Sequence, residues 1–198
     1  MGLPEEHVRA RLQPCRRATA GGVALAAEGM STPKRHESMP GTYFVTSRTW
    51  ESRALFIHAE SCRIFVESLL HYRQQGAYLL HAFVLMPDHF HLLITPATNK
   101  TIERAIQYVK GGSARRLSLE RNMHFPVWQR GFSDHRVRDG ADYENHVHYI
   151  GENPVRKKLV ETAKEYLWSS ASGSCALDGP PQGLKPQERG EQAIVRHG

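Results

Sequence analysis

Cysteine is scarce in this chain: Cys15, Cys62 and Cys175 are the three in 198 residues, and they lie far apart. They draw neither a paired framework nor a Cys-x-x-Cys pattern, which excludes a disulfide-stapled scaffold and fits a reducing compartment. Also lacking is any uninterrupted apolar run near the ~20 residues a membrane-spanning helix needs. The N-terminus carries arginines but no clean hydrophobic stretch before a cleavage site, so no secretory signal is read. The expectation is a soluble, cytoplasmic protein with no membrane partner. Acidic residues are in deficit, 20 Asp+Glu against 26 Lys+Arg, with a pI near 9.4. That balance favours a polyanionic partner over an acidic one, although a solvated face is the ordinary fate of any single charge cluster.

What is present has the size of one domain with tails, and no internal repeat. Residues 1–40 mix Arg, Ala, Gly and Pro without a sustained period and read as a disordered extension; residues 41–170 carry the domain; residues 171–198, rich in Gly, Pro, Gln and charge, read as a disordered tail. Within the domain, the β-branched and aromatic run Thr42–Thr46 predicts a first strand. Apolar residues at Cys62, Phe65, Val66, Leu69 and Tyr72 are spaced three and four apart, which predicts a helix over 58–73 that stops at Gly76. Tyr78–Met86 is apolar at nearly every position, as an interior strand is, and Pro87-Asp88 turns the chain into a strand over 89–95. Thr101 is placed to cap a second helix carrying Ile102, Ile106 and Val109, in which Gly111-Gly112 is a point of bending. Phe125–Val137 reads as extended, a third helix covers 141–153, and Pro154 limits it. Leu159, Val160, Tyr166, Leu167 and Trp168 supply apolar surface to pack back on the domain. This order predicts an α+β fold, a ferredoxin-like split βαβ antiparallel sheet with helices on one face.

The chemistry centres on Met86-Pro87-Asp88-His89-Phe90-His91. In a strand, His89 and His91 project to the same face while Phe90 projects to the other, so the two imidazoles can share a metal. Two merely hydrogen-bonded or exposed histidines would fit the spacing as well. Polar side chains at the start of an otherwise apolar strand are costly without a purpose, and this favours the metal reading. On the third helix, Tyr149 and Asn153 are one turn apart and share a face, while Val147 and Ile150 can face the core. An amide oxygen from Asn153 would complete a two-nitrogen, one-oxygen set with a phenol beside it. Asparagine before proline is also a common helix stop, and tyrosine on a half-buried helix is commonly packing. His146 and His148 flank the tyrosine and are open to a DNA contact, a proton-carrying role or simple exposure.

Phe83-Val84-Leu85-Met86-Pro87-Asp88-His89-Phe90-His91-Leu92-Leu93, taken with Tyr149-Ile150-Gly151-Glu152-Asn153-Pro154-Val155 and the following Trp168-Ser169-Ser170, resembles the single-tyrosine HUH transposases, in particular the REP-associated tyrosine transposase branch. The resemblance spans about residues 41–171. It implies that His89, His91 and Asn153 bind a divalent ion, Mg²⁺ or Mn²⁺, and that Tyr149 is the nucleophile. It further implies nicking and rejoining of single-stranded, hairpin-containing DNA through a 5′-phosphotyrosine, by a monomer or a homodimer. Two histidines alone would equally suit Zn²⁺. Lys110, Arg115, Arg116 and Arg130 are the candidate phosphate contacts, since a positive groove is the usual means of holding single strands. Gly151, two residues after the expected nucleophile, is a departure that weakens the helix holding it. A hairpin-binding regulator without catalysis and a metal-dependent hydrolase using water are the competing functions. The first needs no intact Tyr149, and the second forms no covalent adduct with DNA.

Overall fold

The computed structural model describes residues 40–181. Strand β1 (Tyr43–Arg48) alternates its side chains cleanly, with Tyr43 and Val45 buried on one face of the sheet and Phe44 and Thr46 on the other. Strands β2 (Tyr78–Leu85) and β3 (His89–Pro96) form a hairpin across Met86-Pro87-Asp88. Among the described residues, these three strands and the short β4 (Ser133–Arg136) form one antiparallel sheet in the order β2-β3-β1-β4. β3 is therefore interior, with His91 opposite Thr46 and His89 opposite Arg48.

Helices α1 (Ala59–Gln74) and α2 (Ile102–Arg121) cover one face. Ile64, Phe65 and Leu69 of α1 and Ile102, Ile106, Val109 and Leu117 of α2 join Val45, Phe83, Leu85, Phe90, Leu92 and Ile94 in the main core. Gly76 takes φ +66 after α1, and the Thr101 hydroxyl accepts from the Arg104 amide at the start of α2, as the sequence predicts. Gly111-Gly112 does not interrupt α2. Gly112 instead lets the two helices approach, because a Cβ there would lie 2.2 Å from Cε2 of Tyr72.

Helix α3 (Gly140–Arg156) packs on the opposite face, where Tyr143, Ile150 and Val147 meet Ala82, Val84, Met86, Leu93 and Val137. The expected α+β class and antiparallel split βαβ order are what form; the placement of all helices on one face is corrected. A sheet covered on both faces also explains why β2 is apolar at nearly every position.

Three local expectations change as well. Phe125–Val137 is a strand only over Ser133–Arg136, while Val127 and Trp128 turn into the core, where the Trp128 indole donates to Ser113 Oγ at 3.1 Å. Pro154 lies inside α3, which continues to Arg156; so near the C-terminal end, the proline forfeits one backbone bond without stopping the helix. The tail expected from Ala171 instead packs against β2 through Asp178 and Gly179. The Asp178 amide donates to Leu80 O at 2.9 Å, the Leu80 amide donates to Asp178 Oδ2 at 2.7 Å, and Arg73 Nε donates to the same carboxylate oxygen at 2.7 Å. This strap occupies the outer edge of β2, which would otherwise expose unpaired backbone. All but the last residue of the expected extension over residues 1–40, and the remaining tail over 182–198, lie outside the described residues. No described helix is long and apolar enough to cross a membrane.

Candidate active site

The hairpin turn delivers His89 and His91 to the α3 face of the sheet, with ring centroids 4.9 Å apart. Each imidazole has one nitrogen engaged: His89 Nδ1 donates to Asp88 Oδ1 at 2.6 Å, and His91 Nδ1 lies 2.7 Å from Thr46 Oγ1. Holding Nδ1 in this way orients a ring to offer Nε2 to a metal. Burial pushes the pKa of His91 down to about 3, helped by the neighbouring His89 and Arg48, so the ring is neutral at physiological pH and its lone pair is available.

α3 supplies the other side of the site. Asp139 caps the helix by accepting from the Asp142 amide at 2.9 Å. Ile150 and Pro154 anchor its buried stripe, and this turns Tyr149 toward β3. The Tyr149 ring stands edge-on to His91 at 5.3 Å between centroids and to Phe44 at 5.8 Å, while the Arg156 guanidinium lies over it at 5.4 Å. One turn beyond Tyr149, Asn153 is 4% exposed, and its Oδ1 is buried without a hydrogen-bond partner. A buried amide oxygen left unpaired requires a reason. A divalent cation held with the two imidazoles would supply one; the amide oxygen suits Mg²⁺ or Mn²⁺, and the two imidazoles suit Zn²⁺ and other later transition ions as well. Gly151 does not loosen α3, which is continuous through this position.

Three of the four basic residues expected to hold phosphate, Lys110, Arg115 and Arg116, lie on α2 and are not brought to the histidines. α2 lies on the far face, where Lys110 Nζ donates to the Gln129 and Gly131 carbonyls at 2.6 Å each, and burial lowers the pKa of its ammonium to about 8. Arg116 is paired with Glu120 at 2.7 Å and with Glu67 at 2.8 Å. Arg115 is exposed on the same helix, and Arg130 is exposed just before β4. Two cations that do lie beside the histidine face are Arg48, opposite His89 and 3.9 Å from Asp88, and Arg156, over the Tyr149 ring. Thr46, Phe44 and Arg156 escape a reading of motifs because they become neighbours only through strand register and helix docking. Asp88, adjacent to His89 in the turn, was the one legible from spacing.

The family model described as Transposase IS200 like matches residues 48–153, more than half of the chain. A Haemophilus influenzae protein assigned to the REP-associated tyrosine transposases is 30% identical over 155 residues, spanning 71% of this chain and 85% of that relative. The REP-associated tyrosine transposase of Escherichia coli K12 is 23% identical over 142 residues, spanning 71% of this chain and 82% of the relative. A solved REP-associated tyrosine transposase bound to a REP hairpin has the same fold, with a TM-score of 0.61 at 23% identity over 79% of this chain and 89% of that one. The chain belongs to the IS200-like transposase family, among relatives described as REP-associated tyrosine transposases.

Proposed function

We propose that this protein nicks and rejoins single-stranded, hairpin-containing DNA, with Tyr149 as nucleophile and His89, His91 and Asn153 holding Mg²⁺ or Mn²⁺. The observation that carries the proposal is the meeting of α3 with β3: the Tyr149 ring touches His91, and the unpaired Asn153 Oδ1 is one turn away on the same helix. The relatives' description as tyrosine transposases and the hairpin bound by the solved relative support the choice of reaction and substrate.

In the reaction, Tyr149 Oη attacks a DNA phosphorus atom. One P–O bond forms to the phenol oxygen while the bond to the 3′ oxygen breaks, leaving a 5′-phosphotyrosine and a free 3′-hydroxyl; the phenol gives up one proton, and the departing oxygen takes one up. The covalent ester retains the phosphodiester energy, so a second 3′-hydroxyl can reverse the step without a nucleotide cofactor. When bound, the cation supplies charge neutralisation at the scissile phosphate. Thr46 and Asp88 orient the two imidazoles, Phe44 sets the position of the phenol ring, and Arg156 is placed to meet phosphate beside it. The working unit is the stretch 41–170 with the strap that follows, in the cytoplasm.

The test is incubation of the full chain with end-labelled hairpin DNA and Mn²⁺, followed by denaturing electrophoresis. A covalent protein–DNA adduct is expected, lost in Tyr149→Phe with hairpin binding retained. Cleavage that survives the substitution assigns the nucleophile to water, and binding without any cleavage by the unaltered chain assigns a regulatory role; either result overturns the proposal.

A further inference from the structure

Where β4 meets α3, on the same face of the sheet as the histidine pair, a second cluster of metal-ligating groups uses none of the proposed active-site residues. His135 of β4 is opposite Phe44 in register, so its side chain rises on the α3 face. Asp142 and His146 stand one turn apart on α3. One ligand atom from each of the three lies within 4.8 Å of the other two. His135 Nε2 is 2.8 Å from Asp142 Oδ2, and His146 Nε2 is 3.3 Å from Asp142 Oδ1.

We propose that His135, Asp142 and His146 form a second cation site, which takes a divalent transition ion of the zinc class and clamps β4 to the first turns of α3. Ligands held about 2.1 Å from a tetrahedral ion are separated by about 3.4 Å, so the observed spacings need only small rotations of the exposed His135 ring. Two imidazoles and one carboxylate are a common donor set for such ions and leave a position open to water. The independent observation is His146 Nε2. Although close to the carboxylate, it is buried and makes no hydrogen bond with acceptable geometry. A nitrogen aimed at an anion without a bond to it is what a missing shared cation leaves behind. Asp142 Oδ2 also accepts from the Arg138 backbone N–H at 3.1 Å and from Arg138 Nε at 3.3 Å; the side chain is 74% exposed and can withdraw to solvent, while the amide fixes the carboxylate and leaves Oδ1 free to face the ion.

The clamp has a consequence for the active site. The His146 ring stacks on Phe44 at 4.3 Å between centroids, and Phe44 stacks in turn on His91 at 5.3 Å and meets Tyr149 edge-on. An ion at the second site therefore fixes a ring against which the nucleophile and one imidazole are seated. β4 has four residues, all exposed, and little apolar burial of its own to hold it.

The test uses the full chain carrying His89→Ala and His91→Ala, so that the β3 pair contributes nothing, with Zn²⁺ measured by equilibrium dialysis and Co²⁺ by its visible absorption. One equivalent of each is expected, with a Co²⁺ band of tetrahedral or five-coordinate intensity and a rise in Tm on adding Zn²⁺. Adding His135→Ala, which touches no core contact, is expected to weaken binding about tenfold or more and abolish both the band and the Tm rise. His146→Asn provides a second arm, since it removes the nitrogen from α3 rather than from the edge strand. Failure of the His89→Ala/His91→Ala chain to bind either ion, or binding unchanged by both further substitutions, overturns the proposal.

Discussion

Replacing Thr46 by valine tests whether the strand opposite β3 controls the histidine pair. The two side chains share a shape, so the main loss is the hydroxyl 2.7 Å from His91 Nδ1. His91 is 5% exposed, so water cannot readily replace that partner. Leaving a buried polar group unpaired costs about 1–3 kcal/mol. If the whole of that cost falls on the ring orientation that binds metal, a tenfold effect corresponds to about 1.4 kcal/mol, and the range matches the roughly 10–100-fold losses seen when groups behind a metal-bound histidine are removed. The Mn²⁺ concentration giving half-maximal nicking of hairpin DNA should therefore rise about 10–100-fold in Thr46→Val, with the rate at saturating Mn²⁺ changed much less. Thr46→Ser, which keeps the hydroxyl, should restore the original Mn²⁺ dependence. Circular dichroism and the urea midpoint of the same samples separate this from loss of fold. A Thr46→Val protein that is folded and has unchanged Mn²⁺ dependence would falsify the assignment of Thr46 as the group that positions His91.

The adjacent glycines of α2 should behave oppositely. Gly112→Ala forces a methyl into the Tyr72 ring and should cost about 1–3 kcal/mol by urea unfolding, whereas Gly111→Ala meets nothing within 4 Å and should stabilise by about 0.5–1 kcal/mol; equal effects at the two positions would refute the close helix approach. Asp178→Ala removes the carboxylate that accepts from both Leu80 N and Arg73, so amide exchange at Leu80 should accelerate while the amides of β3 remain protected. Unchanged exchange would show that the strap is held by other contacts. Burial lowers the pKa of His81 against the opposing pull of the Asp178 and Gly179 carbonyls. Between that lowered folded value and the unfolded value near 6.5, the unfolded chain binds more protons, so its contribution to stability is present above about pH 6.5 and is lost as pH falls. His81→Gln should therefore flatten the decline in stability as pH falls below about 6.5, by up to ~1.4 kcal/mol per pH unit, and an identical slope would place His81 outside the linkage.

The sequence alone determined the local elements and the strand that bears the histidines. Period-two alternation put His89 and His91 on one face, the 3.6-residue period put Tyr149 and Asn153 on another, and Gly76 and Thr101 punctuated the helices, because each of these relations is set within a few residues. Basic clustering in α2 was also visible, but not its direction: docking of the apolar stripe carries Arg115 and Arg116 to the far face, and Lys110 is taken by the carbonyls of the loop before β4. Trp128 likewise went to the core, because its indole found Ser113. Tertiary structure alone decided that Thr46 lies behind His91, that Phe44 lies between His91 and His146, that residues near Asp178 close the edge of β2, and that His135 meets Asp142. Those pairings join positions dozens of residues apart, or elements whose mutual angle no local period encodes, and they follow from sheet register and from the burial of two helix layers on opposite faces.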